Sequence, residues 1–214
     1  MESNVGIGVV TCGIRKVDPR LIEYFPTIFV DKERRGSSYS KNELIHKFYE
    51  DGKEYIFLFD DDCIPVIDGW QEKIIEWSNR YDVHYLAGLD FKGIDIVSGS
   101  GDTVVSRNPY IGAYFFMDRK CIETIGYYNE KYDRYGWEDV GYSIRAKKAG
   151  LLGHCGTGYP TPVWINMYLH SMDMYAEASI PNMTQEEKNR LIKKNEPLFQ
   201  EEVNGGNYIG YDRS

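Results

Sequence analysis

Apolar residues in the first half of the chain come in short bursts, and their spacing alternates between two patterns. Val5–Thr11 (VGIGVVT) and Thr27–Val30 are brief apolar runs of strand length, and 55–59 (YIFLF) is apolar throughout. A run of that kind, bounded by turn signals, is the mark of a central strand buried on both faces. Between these runs the apolar positions return at helical intervals. Residues 19–25 read as a short helix, and 39–51 carries Leu44, Ile45, Phe48 and Tyr49 on one stripe. A further helix is expected at about 70–80 and a strand near 84–89. This strand–helix alternation predicts an α/β fold with a parallel, doubly wound sheet and helices on both faces.

The second half has a different rhythm. Residues 94–97 and Thr103–Ser106 flank SGSGD, a glycine-rich turn that predicts a β-hairpin. A strand at 110–117 is followed by a short helix, Arg119–Ile125, closed by Gly126. A helix over 137–149 stops at Gly150, a suitable C-cap. Thr184-x-x-Glu187 has the capping-box pattern and opens a charged helix to about 203, which Pro197 should bend or divide. The expected organisation is one domain over 1–203, with 204–214 (NGGNYIGYDRS) as a flexible tail or linker.

Composition narrows the class. With 25 Lys and Arg against 33 Asp and Glu, the net charge is −8, which counts against a broad nucleic-acid footprint. The apolar runs are far shorter than the roughly 20 residues of a membrane-spanning helix. The start of the chain has no basic-then-apolar leader pattern. The four cysteines form no C-x-x-C pair, so reduced thiols in a cytoplasmic compartment are expected. Eighteen tyrosines fit either a compositional bias or some sugar-stacking surface.

Candidate chemistry begins where YIFLF runs into Asp60, Asp61 and Asp62. Three adjacent carboxylates repel one another unless a cation joins them, and the carboxyl ends of strands are where open α/β sheets bind ligands. On an extended chain Asp60 and Asp62 share one side and Asp61 takes the other. Hard oxygen donors suit Mg²⁺ or Mn²⁺ held between protein and phosphates; the alternative is an acidic loop or a helix cap. A second cluster is Trp137-Glu138-Asp139, with Arg145 two turns on. Acidic residues in a first helical turn are ordinary dipole partners, yet a carboxylate beside an aromatic surface also suits a general base. His46 and His84 fall in expected elements and read as packed or surface residues. His154 and His170 come later, and either could complete a metal site or be purely structural.

Taken together, these pieces resemble the nucleotide-sugar glycosyltransferases of GT-A fold, in particular the inverting family-two enzymes and the carboxyl-terminal part of the β-1,4-galactosyltransferases and polypeptide N-acetylgalactosaminyltransferases. The matching segments are TCGIR (11–15), Asp31, YSKNELI (39–45), FDDDCIP (59–65), GAYFFMDRKCIETIGYYNE (112–130) and WEDVGYSIRAKKAG (137–150). The resemblance implies a mostly parallel GT-A sheet with a smaller acceptor-side hairpin region. It places Thr11, Arg15, Asp31 and Asn42 at the donor nucleotide. Asp60 and Asp61 would support the donor, with Asp60 near the ribose or the metal shell. Gly112 and Ala113 would run close to the donor sugar. Asp62 would ligate the metal, with His170 fitting a late metal or phosphate contact better than His154. Glu138 would lie near substrate hydroxyls, Trp137 at the acceptor, and Asp139 would be the base. Lys41-Asn42 stands where an arginine is frequent, and the galactosyltransferase Trp-Gly-Gly run is reduced to Gly136-Trp137.

The implied activity is transfer of a sugar, with inversion, from a nucleotide-diphosphate donor to an acceptor hydroxyl, with Mn²⁺ or Mg²⁺ as cofactor and uridine the expected base. The acceptor, a glycan or another hydroxyl compound, is left open, and so is membership of a longer multidomain chain. Two rivals stand beside this reading. A Mg²⁺-dependent nucleotidyltransferase also clusters aspartates at a strand end, but TCGIRK lacks a phosphate-cradling glycine loop. A carbohydrate-binding module would use the aspartates to hold a structural ion.

Overall fold

The computed structural model describes residues 4–14, 16–24, 26–61, 63, 69–88, 95–110, 112–154, 158–165, 183–205 and 208–211. The elements in chain order are β1 (Val5–Thr11), α1 (Pro19–Ile22), β2 (Thr27–Val30), α2 (Ser37–Glu50), β3 (Tyr55–Asp60), α3 (Trp70–Tyr81) and β4 (Tyr85–Ala87). Then come β5 (Ile96–Ser100), β6 (Thr103–Ser106), β7 (Tyr114–Asp118), α4 (Arg119–Ile125), α5 (Glu138–Lys148), β8 (Tyr159–Pro162) and α6 (Gln185–Asn204). The protein is mixed α/β, with a five-stranded sheet in the order β2-β1-β3-β7-β4 and a three-stranded sheet in the order β5-β6-β8.

The alternation along β3 decides how the layers pack. Ile56 and Leu58 face α2, where Leu44 and Phe48 press so closely on β1 that Cβ atoms on Gly6 and Gly8 would stand 2.6 and 2.8 Å from them. Glycine in this strand is therefore a packing requirement. Phe57 and Phe59 face α3 instead and meet the Trp70 ring edge-on at 4.9 and 5.3 Å. Helices thus cover both faces.

The expected parallel sheet needs one correction. β1 pairs in parallel with β2 and β3, but β7 is inserted antiparallel between β3 and β4. The alternation β-α-β ends at β4, and β7 arrives after the β5–β6 hairpin rather than after a crossover helix, so nothing forces it to run parallel. The hairpin forms as expected, with Gly101 (φ +60°) in its turn. β8 carries Pro160 and Pro162, which weakens any reading of it as a strand. It is tolerated because, among the described residues, β8 is an edge strand pairing only with β6.

The C-terminal part holds two further differences. Thr184 caps α6 by accepting the Glu187 N–H at 3.1 Å, but the helix runs unbroken through Pro197. Buried Leu191, Asn195, Phe199 and Glu202 fasten it on both sides of the proline. Within the tail, residues 209 and 211 are docked. Ile209 exchanges backbone hydrogen bonds with Ile125 and Tyr127, and the Tyr211 ring stacks on His46 at 3.8 Å. Among the described residues no helix is long and apolar enough to cross a membrane.

Candidate active site

β1, β2 and β3 end side by side, and their carboxyl ends carry Thr11, Asp31, Asp60 and Asp61. The Thr11 hydroxyl donates to Asp61 Oδ2 at 2.6 Å and itself accepts the Gly13 N–H at 2.9 Å. Asp61 is buried, and its carboxylate ties the end of β3 to that of β1. Asp31 is also buried; it receives the Gly36 N–H at 2.9 Å and thereby sets the entry to α2. The Asp60 N–H donates to the Ala113 carbonyl at 2.9 Å, so the start of β7 is drawn to the same edge. A Cβ on Gly112 would lie 1.8 Å from the Phe115 ring, which accounts for this glycine by packing.

The second wall of the site is the start of α5. Gly136 (φ +97°) and Trp137 (φ +76°) turn the chain sharply into the helix. A non-glycine residue in the left-handed region costs about 1–2 kcal/mol. Trp137 is held there by stacking on Phe199 at 4.5 Å and by an indole N–H bond to the Ile192 carbonyl at 3.0 Å. One face of the indole is therefore occupied by α6. Glu138 is buried, and its Oε2 has no hydrogen-bond partner among the described residues. Burial, reinforced by the charge of Asp139, pushes its carboxyl up to about 7.

Lys41 joins the two walls. It lies on the buried stripe of α2 with Leu44, Ile45 and Phe48, and its side chain is 1% exposed. Its ammonium sits 2.5 Å from Asp139 Oδ1 and 3.9 Å above the Phe115 ring. Burial opposes the charge, but Asp139, Asp60 and Glu138 outweigh it and raise the Lys41 pKa above its ordinary value. One ammonium thus contacts Asp139 and feels the charges of Asp60 and Glu138, from two elements distant in sequence. Sequence reasoning noted Lys41 only as a departure from an arginine. The available signal was its register, since a cation on an apolar stripe needs a buried counter-ion.

The other candidates divide. Asn42 is fully used: it accepts the Tyr128 N–H and donates to the Tyr128 carbonyl and to Glu130. It pins the segment before α5. Arg145 is buried, donating to Glu202 and to the carbonyls of Ile125 and Tyr127. His154 lies 3.6 Å from Asp82, beside the start of β4. That is the opposite edge of the sheet, because Tyr85 and Ile56 both pair with Met117. A cleft of about 450 Å³ lined by Arg80, Tyr81, Ser98, Ser100 and His154 is also at that edge, remote from the aspartates. Arg15, Asp62 and His170 lie outside the described residues. Among those described, no three His, Cys, Asp or Glu form a metal-binding group.

No protein-family profile matches the chain, and no curated protein matches it in sequence. Two solved structures resemble the chain at a distance. Protein A197 from STIV does so at 14% identity and a TM-score of 0.38, over 56% of this chain and 68% of that one. The catalytic domain of Drosophila β1,4-galactosyltransferase 7, in complex with xylobiose, does so at 15% identity and a TM-score of 0.39, over 87% and 79%. Likeness this distant decides nothing about activity.

Proposed function

We propose that the protein is a GT-A glycosyltransferase that moves a sugar from a nucleotide-diphosphate donor, with uridine the preferred base, to an acceptor hydroxyl. The observation that carries this reading is the convergence of Asp60, at the end of the central strand, with Glu138 and Asp139, at the start of α5, around the Lys41 ammonium. A polar edge of this kind, beside a left-handed turn locked by α6, suits a ligand with a phosphate end and a hydroxyl-bearing end.

In the proposed reaction Asp139 takes the proton of the acceptor hydroxyl as its oxygen bonds to the anomeric carbon. The bond from that carbon to the nucleotide diphosphate breaks, and one displacement inverts the centre. Glu138, largely protonated below neutral pH, can donate to or accept from a sugar hydroxyl through its unpartnered Oε2. Thr11 and Asp31 frame the nucleotide end. Asp60 and Asp139 together outweigh the single Lys41 ammonium, an excess of negative charge that suits a hard cation, and Asp60, with Asp62 and His170, would hold Mn²⁺ or Mg²⁺. Such an ion, when bound, neutralises charge on the leaving diphosphate.

A thermal-shift panel of nucleotide sugars with and without Mn²⁺, followed by a nucleotide-release assay, tests the reading. A metal-dependent shift with a uridine donor is expected, abolished by Asp62→Asn. Asp139→Asn should keep the shift and lose turnover by about 10²–10⁴-fold. Near-full turnover in Asp139→Asn would remove the base assignment, and pyrophosphate release would point to nucleotidyl transfer instead.

A further inference from the structure

We propose that Lys41 is the positioning residue for Asp139: its ammonium fixes one carboxylate oxygen, so that the other is presented to the acceptor hydroxyl in a single orientation. This inference rests on the glycosyl-transfer reading and adds to it a residue that the sequence did not assign to the site.

Among the described residues α5 anchors two long-range ion pairs, and they differ in a telling way. Arg145 and Glu202 are 1% and 3% exposed, and Asn129 donates to the second oxygen of Glu202. That pair is closed, as a structural tie should be. Lys41 is equally buried, yet Asp139 is 17% exposed, and its Oδ2 makes no hydrogen bond among the described residues. The cation is enclosed while half of its partner is left available. A carboxylate held at one oxygen and open at the other is the arrangement a general base needs.

The surroundings keep the ammonium where it is. Phe115 and Tyr128 place ring faces 3.9 and 5.0 Å from Nζ, favourable to a cation and unable to accept its proton. From β3 comes the charge of Asp60, from α5 those of Glu138 and Asp139; the Tyr128 phenol, and behind it that of Tyr85, are both pushed well above their ordinary range by burial. Among the described residues Asp139 is the one carboxylate in ion-pair contact with Nζ. Asn42, the next residue of α2, anchors that helix to the Tyr128–Glu130 segment, so Lys41 reports to Asp139 from a fixed base.

The test is steady-state kinetics on the full chain with the donor identified by the panel, using Lys41→Met, Lys41→Arg, Asp139→Asn and the Lys41→Met/Asp139→Asn double variant. Expected for Lys41→Met is a loss of about 100-fold in kcat, the cost of a roughly 1 Å misplacement, with donor KM within threefold. Lys41→Arg should recover part of kcat. The double variant should be no slower than Asp139→Asn alone, as for groups that act as one unit. Lys41→Met that raises donor KM at constant kcat, or losses that multiply in the double variant, would overturn the inference while leaving glycosyl transfer standing. If Lys41→Met does not fold, Lys41→Gln decides: a fall in kcat at constant KM supports the role, and wild-type kcat overturns it. A wild-type protein that turns over no nucleotide sugar overturns both.

Discussion

At the scale of single residues, Glu138 shows most plainly how burial writes chemistry. Its carboxyl is raised to about 7 from an ordinary value near 4.5, first by burial and then by Asp139. Between those two pH values the folded state keeps a proton that the unfolded state has released, so stability falls as pH rises through the window and levels off above it. Glu138→Gln removes this penalty. We expect it to stabilise the protein relative to wild type by on the order of 1–3 kcal/mol more at pH 8 than at pH 4.5, read from denaturant midpoints at the two pH values. A pH-independent difference would mean that Glu138 does not titrate in this range. Lys41 shows the converse case, in which a buried charge survives because carboxylates from elsewhere in the chain surround it.

Elements are held by a few contacts that local patterns reveal only in part. The end of α5 was readable: Gly150 (φ +75°) follows the last turn, and the N–H groups of Gly150 and Leu151 return to the carbonyls of Lys147 and Ala146. The docking of the tail was not, because NGGNYIGYDRS has no periodicity. Its register depends on Gly126, where a Cβ would lie 1.9 Å from the Ile209 carbonyl oxygen at φ +71°. Gly126→Ala should therefore cost about 2 kcal/mol or more and release the Ile209 amide to hydrogen exchange. Gly52→Ala, at φ +70° with open space around it, should cost only about 1 kcal/mol. Equal losses at the two positions would mean that the tail contact adds nothing.

Across the whole molecule, α6 is the brace for the candidate site. It supplies Phe199 and the Ile192 carbonyl to Trp137, and Glu202 to Arg145. Glu202→Gln leaves a buried guanidinium without a counter-charge and should cost about 3–5 kcal/mol. The paired replacement Arg145→Met with Glu202→Leu should recover much of that loss; a double variant as unstable as the single would assign the effect to packing.

The sequence by itself determined the strand–helix alternation through β4, the hairpin, the capped helices and the placing of aspartates at the end of a central strand. These follow from local periodicity, turn chemistry and the side-chain alternation of extended backbone. Only the tertiary structure decided that β7 runs antiparallel between β3 and β4, that prolines sit in an edge strand, and that Lys41 meets Asp139 across 98 positions of chain. Strand direction and ion-pair choice depend on which distant segments can be desolvated together. That is a property of the packed whole and leaves almost no mark on neighbouring residues.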